Sequence, residues 1–190
     1  MKQVRSILCV VAFAFLSINA TAQTREEMKK WMDYMTPSDV QKMMATWDGE
    51  WNETITMWMA PGAPEQKMEA SCVNKMILGG RYQESKHSGN FNGMPFEGIG
   101  TLAWDNGGKY FINTWIDNMG TGVVVMEGTW DDATKTINLK GKMTDPMTGK
   151  SATIRETVKI IDENKQEVTQ YAEKDGKEFK SMQIVLTKKK

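Results

Sequence analysis

His87 is the only histidine in the chain, and this limits the chemistry that the sequence can support. A zinc site built from protein side chains normally needs several nitrogen or sulfur ligands, so we expect no metal site. A serine–histidine mechanism would also require His87, and the Gly-x-Ser-x-Gly turn that presents such a serine does not occur. One histidine can serve as an axial ligand of haem. The surrounding residues 85–89 are polar and near a turn, which favours a solvent-exposed imidazole, and no cofactor is predicted.

Cysteine is almost as scarce as histidine. Cys9 lies in an apolar segment near the start of the chain, and Cys72 alternates with apolar neighbours in a strand-like stretch. This alternation predicts that Cys72 is buried and chemically inert, because a thiol in apolar surroundings keeps its proton. Removal of the first segment would leave a single thiol, so that no disulfide could form within the chain.

Four polar side chains fall on strand faces that the alternation of residues assigns to the interior. They are Glu53, Asn74, Glu156 and Gln170. An unpaired glutamate in a dry core is strongly destabilising. Two interpretations therefore suit the pattern: the four residues lie at wet ends of the structure, or they line a partly polar cavity. A bulge that shifts the register by one residue would instead turn them outward.

The elements that carry these residues are predicted to be β-strands. From Trp51 onward, apolar and polar residues alternate in about ten segments separated by short turns, such as Asn92-Gly93. Short connections require antiparallel pairing, because parallel strands need long crossovers. An open sheet of this size would leave two long exposed edges, so the sequence favours a closed antiparallel barrel. A two-sheet sandwich is the main alternative.

Two short amphipathic helices are predicted before the first strand. Thr24 and Glu27 form a capping box, and apolar residues then recur at helical spacing up to Met35. Pro37 takes the first position of a second predicted helix, whose apolar face ends at Trp47. Both apolar faces need a surface to cover, and we expect that surface to be one end or the outer face of the β-domain. A mobile lid is the alternative.

The first 22 residues have the three parts of a secretory signal peptide. Lys2 and Arg5 give a basic start, residues 7–18 form an apolar run, and an Ala-Thr-Ala cleavage site ends at Ala22. The run of about 12 residues is too short to span the ~30 Å hydrocarbon core of a bilayer. We therefore predict cleavage after Ala22, a mature protein in the periplasm or outside the cell, and no transmembrane segment in it.

Charge and length limit the class of protein. The chain has 24 basic and 24 acidic residues among its 190, and its basic block is confined to the three final lysines. This balance argues against nucleic acid as a partner. The residues after the cleavage site are enough for one domain with a sizeable core. We divide the chain into a signal peptide (1–22), a helical segment (23–47) and a β-barrel domain (48–188), and the oligomeric state stays open.

Several short motifs together resemble the DUF1579 family, an uncharacterised group of bacterial proteins. The motifs are Gly49-Glu50-Trp51, Pro61-Gly62, Leu78-Gly79-Gly80-Arg81-Tyr82, and residues 93–98 and 115–120. The resemblance covers roughly residues 45–187, and it implies a single β-barrel of lipocalin-like or calycin-like character. The family has no settled activity, so the resemblance implies no reaction. One departure is Trp104, which stands where a tyrosine is expected before Asp105.

Six polar or amphipathic residues in these motifs form the predicted ligand-binding site. They are Arg81, Tyr82, Glu97, Trp115, Asp117 and Asn118. An arginine inside a barrel can bind a carboxylate or phosphate through two hydrogen bonds, and a tryptophan beside it suits a flat or lipidic ligand. The alternative is structural: Arg81 pairs with Glu97 or Asp117 to satisfy a buried polar group.

The resemblance and the inward polar residues favour an exported β-barrel that binds a small hydrophobic or amphipathic molecule. The first alternative is an extracytoplasmic isomerase or hydrolase with Glu97 or Asp117 as general base. The second is an envelope protein whose methionine-rich helices dock a partner. The sequence favours binding over catalysis, and no catalytic residue is predicted.

Overall fold

Two helices and ten strands make up the part of the chain that the computed structural model describes, residues 24–190. The predicted signal peptide and its cleavage site lie outside the described residues. The helices are α1 (Arg25–Met35) and α2 (Asp39–Ala45). The strands are β1 (Gly49–Met57), β2 (Gln66–Ile77), β3 (Tyr82–Phe91), β4 (Met94–Asp105), β5 (Tyr110–Asp117), β6 (Val124–Asp131), β7 (Thr136–Thr144), β8 (Ser151–Asp162), β9 (Lys165–Lys174) and β10 (Lys177–Lys188). In residues 24–190, no helix is both long and apolar enough to cross a membrane.

The ten strands form a closed antiparallel barrel, as predicted. Each strand pairs with its neighbours in sequence, and β1 pairs with β10 to close the barrel. Short turns make this order possible. Between β3 and β4, Asn92 and Gly93 have φ angles of 51° and 89°, the left-handed conformation that a two-residue hairpin loop requires. Asparagine and glycine are the residues that adopt it at least cost, so this turn is specified locally.

Helix α2 closes one end of the barrel, which we call the base. Met44 and Trp47 are buried there and belong to the same apolar core as Trp51 and Phe111. Hydrogen bonds fix this segment in place. Gln83 Nε2 donates to the carbonyl of Met44 at 2.7 Å, and Trp51 Nε1 donates to the carbonyl of Trp47 at 3.0 Å. The prediction that a helix covers an end of the β-domain is therefore confirmed for α2.

The start of α2 differs from the prediction. The helix begins at Asp39 and its N-cap is Ser38, so Pro37 precedes the helix instead of occupying its first position. The cap is formed by Ser38 and Gln41: the Ser38 side chain accepts from backbone N–H groups of the first turn, and Gln41 Oε1 accepts from the Ser38 backbone N–H at 2.8 Å. This reciprocal pair satisfies donors that the first turn would otherwise leave free.

Helix α1 does not cover the barrel. The predicted capping box is present, with Glu27 N–H donating to Thr24 Oγ1 at 3.1 Å. Every residue of Arg25–Met35 is nevertheless exposed, including Trp31 at 52%. The helix is joined to the barrel by Asn106, whose Nδ2 donates to the carbonyls of Tyr34 and Thr36 at 3.1 and 2.8 Å. The prediction that both apolar faces pack on the β-domain is wrong for α1.

Candidate functional site

A cavity of about 430 Å³ occupies the interior of the barrel. Its lining is mainly apolar and includes Ile55, Met68, Leu102, Val124, Met126 and Ile184. Met119 and Met143 also line it and are 47% and 37% exposed, so the cavity reaches solvent beside them. We call this end the mouth, and it lies opposite the base. The barrel is therefore closed at one end and accessible at the other.

The first polar group in the cavity consists of Glu53, Cys72 and His87. His87 Nδ1 lies 3.0 and 3.1 Å from the two carboxylate oxygens of Glu53, to which it can donate. His87 Nε2 lies 3.7 Å from Cys72 Sγ. The side chains of His87 and Glu53 are only 13% and 1% exposed. The prediction of a solvent-exposed His87 is therefore wrong, because β3 continues through this residue and directs it inward.

Sheet register explains how these three side chains meet. Cys72 on β2 is directly opposite His87 on β3. Glu53 on β1 is opposite Ala70 on β2, and Ala70 is in turn opposite Gly89 on β3. Neighbouring strands lie ~4.8 Å apart, so a contact between β1 and β3 must pass over β2. The small side chain of Ala70 leaves room for the imidazole and the carboxylate to meet above it.

Cys72 is buried, as predicted, and it is a free thiol. Its Sγ donates to Asn74 Oδ1 at 3.0 Å. Burial raises the pKa of the Cys72 thiol strongly, and the negative charge of Glu53 raises it further. In the structure as it stands, the thiol therefore keeps its proton at neutral pH and is a poor nucleophile.

The second polar group surrounds Glu156 on the opposite side of the barrel. Glu156 is 8% exposed and accepts hydrogen bonds from Asn113 at 3.4 Å and from Gln170 at 3.5 Å. Burial raises the pKa of Glu156 to about 7, although these two amides and the nearby His87 favour its charged form. Gln166 also lines the cavity, and its buried Nε2 has no hydrogen-bond partner in the described part of the chain. The cavity thus presents both acceptors and an unpaired donor.

Trp115 forms one wall of the cavity towards the mouth. Its Nε1 donates to Asp117 Oδ2 at 2.7 Å, which fixes the orientation of the indole. The ring lies directly over Gly98 on β4, where a Cβ atom would be 2.5 Å from the ring carbons. Glycine is therefore required at position 98. The His87 and Trp115 rings meet in a T-shaped arrangement with a centroid distance of 4.9 Å, so the wall is continuous with the first polar group.

Comparison with known proteins identifies the family. The sequence profile described as "Protein of unknown function (DUF1579)" matches residues 36–188, most of the chain. This protein belongs to the DUF1579 family. The match confirms the resemblance seen in the sequence motifs, and it includes α2 together with the whole barrel. No functionally curated protein sequence matches the chain.

Solved structures with a similar fold also exist. One is the crystal structure of Rv2717c from M. tuberculosis, which superposes with a TM-score of 0.60 at 14% sequence identity. The similar region covers 82% of the DUF1579 chain and 100% of the Rv2717c chain. At this level of identity the similarity establishes the barrel fold. It carries no information about the ligand or activity of the DUF1579 protein.

The predicted ligand-binding residues of the DUF1579 protein lie in different places. Trp115 and Asp117 line the cavity. Glu97 and Asn118 lie beside them on the outer surface at the mouth, where Asn118 Oδ1 accepts from the Glu97 N–H at 3.0 Å. Four of the six are therefore neighbours, and two of those four face the interior.

Arg81 and Tyr82 are separate from the other four. Both are exposed: Arg81 ends the turn between β2 and β3, and Tyr82 begins β3, which places both at the base. Arg81 Nη1 donates to the carbonyl of Leu78 at 3.1 Å. The Arg81 guanidinium therefore does not line the cavity, and in the described part of the chain it does not pair with Glu97 or Asp117.

The four inward polar residues were predicted correctly, since Glu53, Asn74, Glu156 and Gln170 all line the cavity. His87, Gln83 and Asn113 were missed. A signal for His87 was present in the sequence: Glu84 and Lys86 alternate with Gln83, Ser85 and His87, as expected for a strand with one charged outer face.

Proposed function

We propose that this protein binds a small, mainly apolar molecule inside its barrel. The observation that carries the proposal is the cavity of about 430 Å³, which opens at the mouth and has a mainly apolar lining with polar groups at particular places. Small barrels without a ligand are normally filled by their own side chains. Ligand pockets commonly have volumes of ~300–1,000 Å³, apolar walls and a few polar groups that orient the ligand.

The polar groups favour a particular ligand chemistry. Among the described residues that line the cavity, none is lysine or arginine, whereas Glu53, Asp117 and Glu156 are acidic. A carboxylate ligand would therefore meet like charges, and among the described lining residues only His87 could offer it a positive charge. A hydroxyl, amide or amine suits the site better, because it can donate to a carboxylate. A hydroxyl or amide can also accept from the unpaired Nε2 of Gln166.

A neutral apolar dye, N-phenyl-1-naphthylamine, tests whether the cavity binds ligands. Ser85 lines the cavity and Lys86 follows it on the outer face of β3, which gives a matched pair of variants. We expect Ser85→Phe to weaken dye binding at least ~10-fold, because an aromatic ring occupies the space of the ligand. We expect Lys86→Phe to leave dye binding unchanged. Equal dissociation constants for both variants and the unsubstituted protein would contradict binding in the cavity.

Competition between ligands that share one alkyl chain tests the proposed chemistry. Decanol, decylamine and decanoate differ only in their polar group, so their order of displacement of the dye reports the preference of the cavity. We expect decanol and decylamine to displace the dye at lower concentrations than decanoate. The reverse order would show that the acidic lining does not select the ligand. Native mass spectrometry of protein purified from its own envelope then gives the mass of the natural ligand.

We also propose that the mature protein acts outside the cytoplasm, since the first 22 residues have the parts of a signal peptide. N-terminal sequencing of the protein from the envelope or medium tests this proposal. The expected first residue is Gln23. Recovery of the chain from the cytoplasm with its first 22 residues retained would refute it.

A further inference from the structure

Three side chains with different ligand chemistry meet inside the barrel, and the proposed binding of an apolar molecule does not require them to lie together. They are the carboxylate of Glu53, the thiol of Cys72 and the imidazole of His87, from three adjacent strands. One donor atom from each lies within 4.8 Å of the other two. Two of the three residues are fully buried, and the third, His87, is nearly so.

We propose that Glu53, Cys72 and His87 form a binding site for a zinc ion. Zinc in proteins takes cysteine sulfur, histidine nitrogen and carboxylate oxygen as ligands, with metal–ligand distances of ~2.0–2.3 Å. Ligand atoms around one tetrahedral zinc ion are therefore roughly 3.3–3.8 Å apart. The donor atoms lie within 4.8 Å of one another, so they must approach by about 1 Å to reach that spacing. Three protein ligands leave the fourth position of the ion facing the cavity, where water or a small molecule can bind.

Charge supports a cation at this position. Glu53 is 1% exposed, and a buried carboxylate is costly unless a positive group pairs with it. His87 is the one basic side chain among the described residues that line the cavity. A divalent ion bound by the Glu53 carboxylate, the Cys72 thiolate and neutral His87 gives a site with no net charge. A thiolate together with an imidazole also favours zinc over magnesium or calcium, which prefer oxygen ligands.

A neighbouring ring holds one of the proposed ligands in place, because Trp115 packs against the His87 imidazole. Such a neighbour orients a ligand of a metal site and contributes to its affinity. The Cys72 thiol donates to Asn74 Oδ1 at 3.0 Å, and it gives up this hydrogen bond when it binds zinc as a thiolate. The sequence predicted no metal site because the chain has a single histidine. The pairing of β1, β2 and β3 supplies the other two donors, since it places Glu53 and Cys72 beside His87.

Titration of the full chain with Zn²⁺ alone tests the site, in a Cys9→Ser background so that Cys72 is the only thiol. We expect one ion per chain with a dissociation constant in the micromolar range or tighter. Binding also releases a proton, because Cys72 enters the site as a thiol and binds zinc as a thiolate. That proton is measured by calorimetry in two buffers with different ionisation enthalpies. Because no organic ligand is present, the result is independent of the proposed ligand binding.

Variants assign the site. Cys72→Ala, His87→Gln and Glu53→Gln are each expected to weaken Zn²⁺ binding more than ~100-fold, beyond the 10–100-fold loss typical of a supporting residue. Glu69→Gln is the matched control for Glu53→Gln, because Glu69 is an exposed carboxylate on the outer face of the neighbouring strand. It should leave the affinity unchanged. If Cys72→Ala and His87→Gln bound Zn²⁺ as tightly as the protein with an intact cluster, the proposal would be overturned.

Two spectroscopic measurements decide the question without any substitution in the cluster. Co²⁺ in place of Zn²⁺ should give a thiolate-to-cobalt charge-transfer band. His87 gives the only imidazole resonances of the chain, and Zn²⁺ should shift them at one equivalent. Zinc binding without a thiolate band, or with unmoved imidazole resonances, would place the ion elsewhere and overturn the proposal even if a cluster variant failed to fold.

Discussion

Replacement of Glu156 by glutamine should change how the stability of the protein depends on pH. Burial raises the pKa of Glu156 from its ordinary value of 4.5 to about 7 in the folded protein. Each unit of difference between the pKa values of a group in the folded and unfolded states changes the free energy of unfolding by ~1.4 kcal/mol. Holding the Glu156 side chain charged in the folded barrel therefore costs about 3 kcal/mol relative to the unfolded chain.

The sign follows from proton binding. Between pH 4.5 and about 7 the folded state holds a proton on Glu156 that the unfolded state has released. The contribution of Glu156 to the free energy of unfolding is therefore complete below pH 4.5 and falls by about 3 kcal/mol as the pH rises through 7. Glutamine has nearly the same shape and stays neutral, so Glu156→Gln lacks this loss. Its stability relative to the unsubstituted protein should rise by about 3 kcal/mol over that interval.

Urea unfolding at several pH values from 4.5 to 8 measures the difference, with a chelator present to exclude metal ions. The difference between the two proteins cancels the titration of groups that they share. Glu163→Gln is the control, because Glu163 is exposed in the turn between β8 and β9 and its loss should change stability by less than ~0.5 kcal/mol. A difference for Glu156→Gln that stays constant or falls with rising pH would refute the reasoning.

Three further predictions concern the barrel and its base. Gly128→Ala should lower the free energy of unfolding by at least ~2 kcal/mol, because the new Cβ would overlap the carbonyl oxygen of Asn138. Gly122→Ala is the control and should lower it by less than ~0.5 kcal/mol, because no atom lies near its new Cβ; urea unfolding measures both. Met44→Ala should lower the free energy of unfolding by ~2–5 kcal/mol, since Met44 is the fully buried residue by which α2 packs on the base, and a loss below ~1 kcal/mol would show that the base is not packed. Deletion of Arg25–Met35 should shift the thermal midpoint little, because α1 has only exposed residues, and unfolding of the truncated chain would contradict this.

Much of the fold was predictable because the alternation of residues and the turns are local signals. Asn92-Gly93 specifies its hairpin without help from the rest of the chain. Alternation also assigned Glu53 and Glu156 to the interior, where the structure places them. A closed barrel then followed from the number of antiparallel strands and the cost of free edges.

The site was harder to predict because it depends on where strands begin and end. The polar residues 85–89 indicated a turn close to His87, but β3 extends to Phe91 and so carries His87 inward. Arg81 lies just before β3, where the turn and not the alternation determines its direction. Antiparallel pairing places Tyr82 opposite Ala103 and Ser88 opposite Glu97, so Arg81 and Glu97 belong to opposite ends of the barrel. Two motifs that are close in the sequence can therefore lie far apart in this barrel.

The helices show a similar limit. A 3.6-residue period identifies an apolar face but does not specify which surface that face covers. In α2 the face is completed by Trp47, and hydrogen bonds from Gln41 and Gln83 attach the helix to the base. In α1 the same kind of face stays exposed, and the contact with Asn106 involves backbone carbonyls that no side-chain pattern reveals.

The pairing of β1 with β10 has a consequence for how the protein folds. Ile55 pairs with Ile184, so β1 lacks its second neighbour until β10 is available to pair with it. Contacts this distant in sequence slow folding, because a large loop must close before the contact stabilises anything. The final step should therefore be the joining of the first and last strands, on the millisecond-to-second time scale of β-rich proteins. Until that step the free edges of β1 and β10 can pair with strands of other molecules. The protein should therefore be most prone to aggregation before the barrel closes.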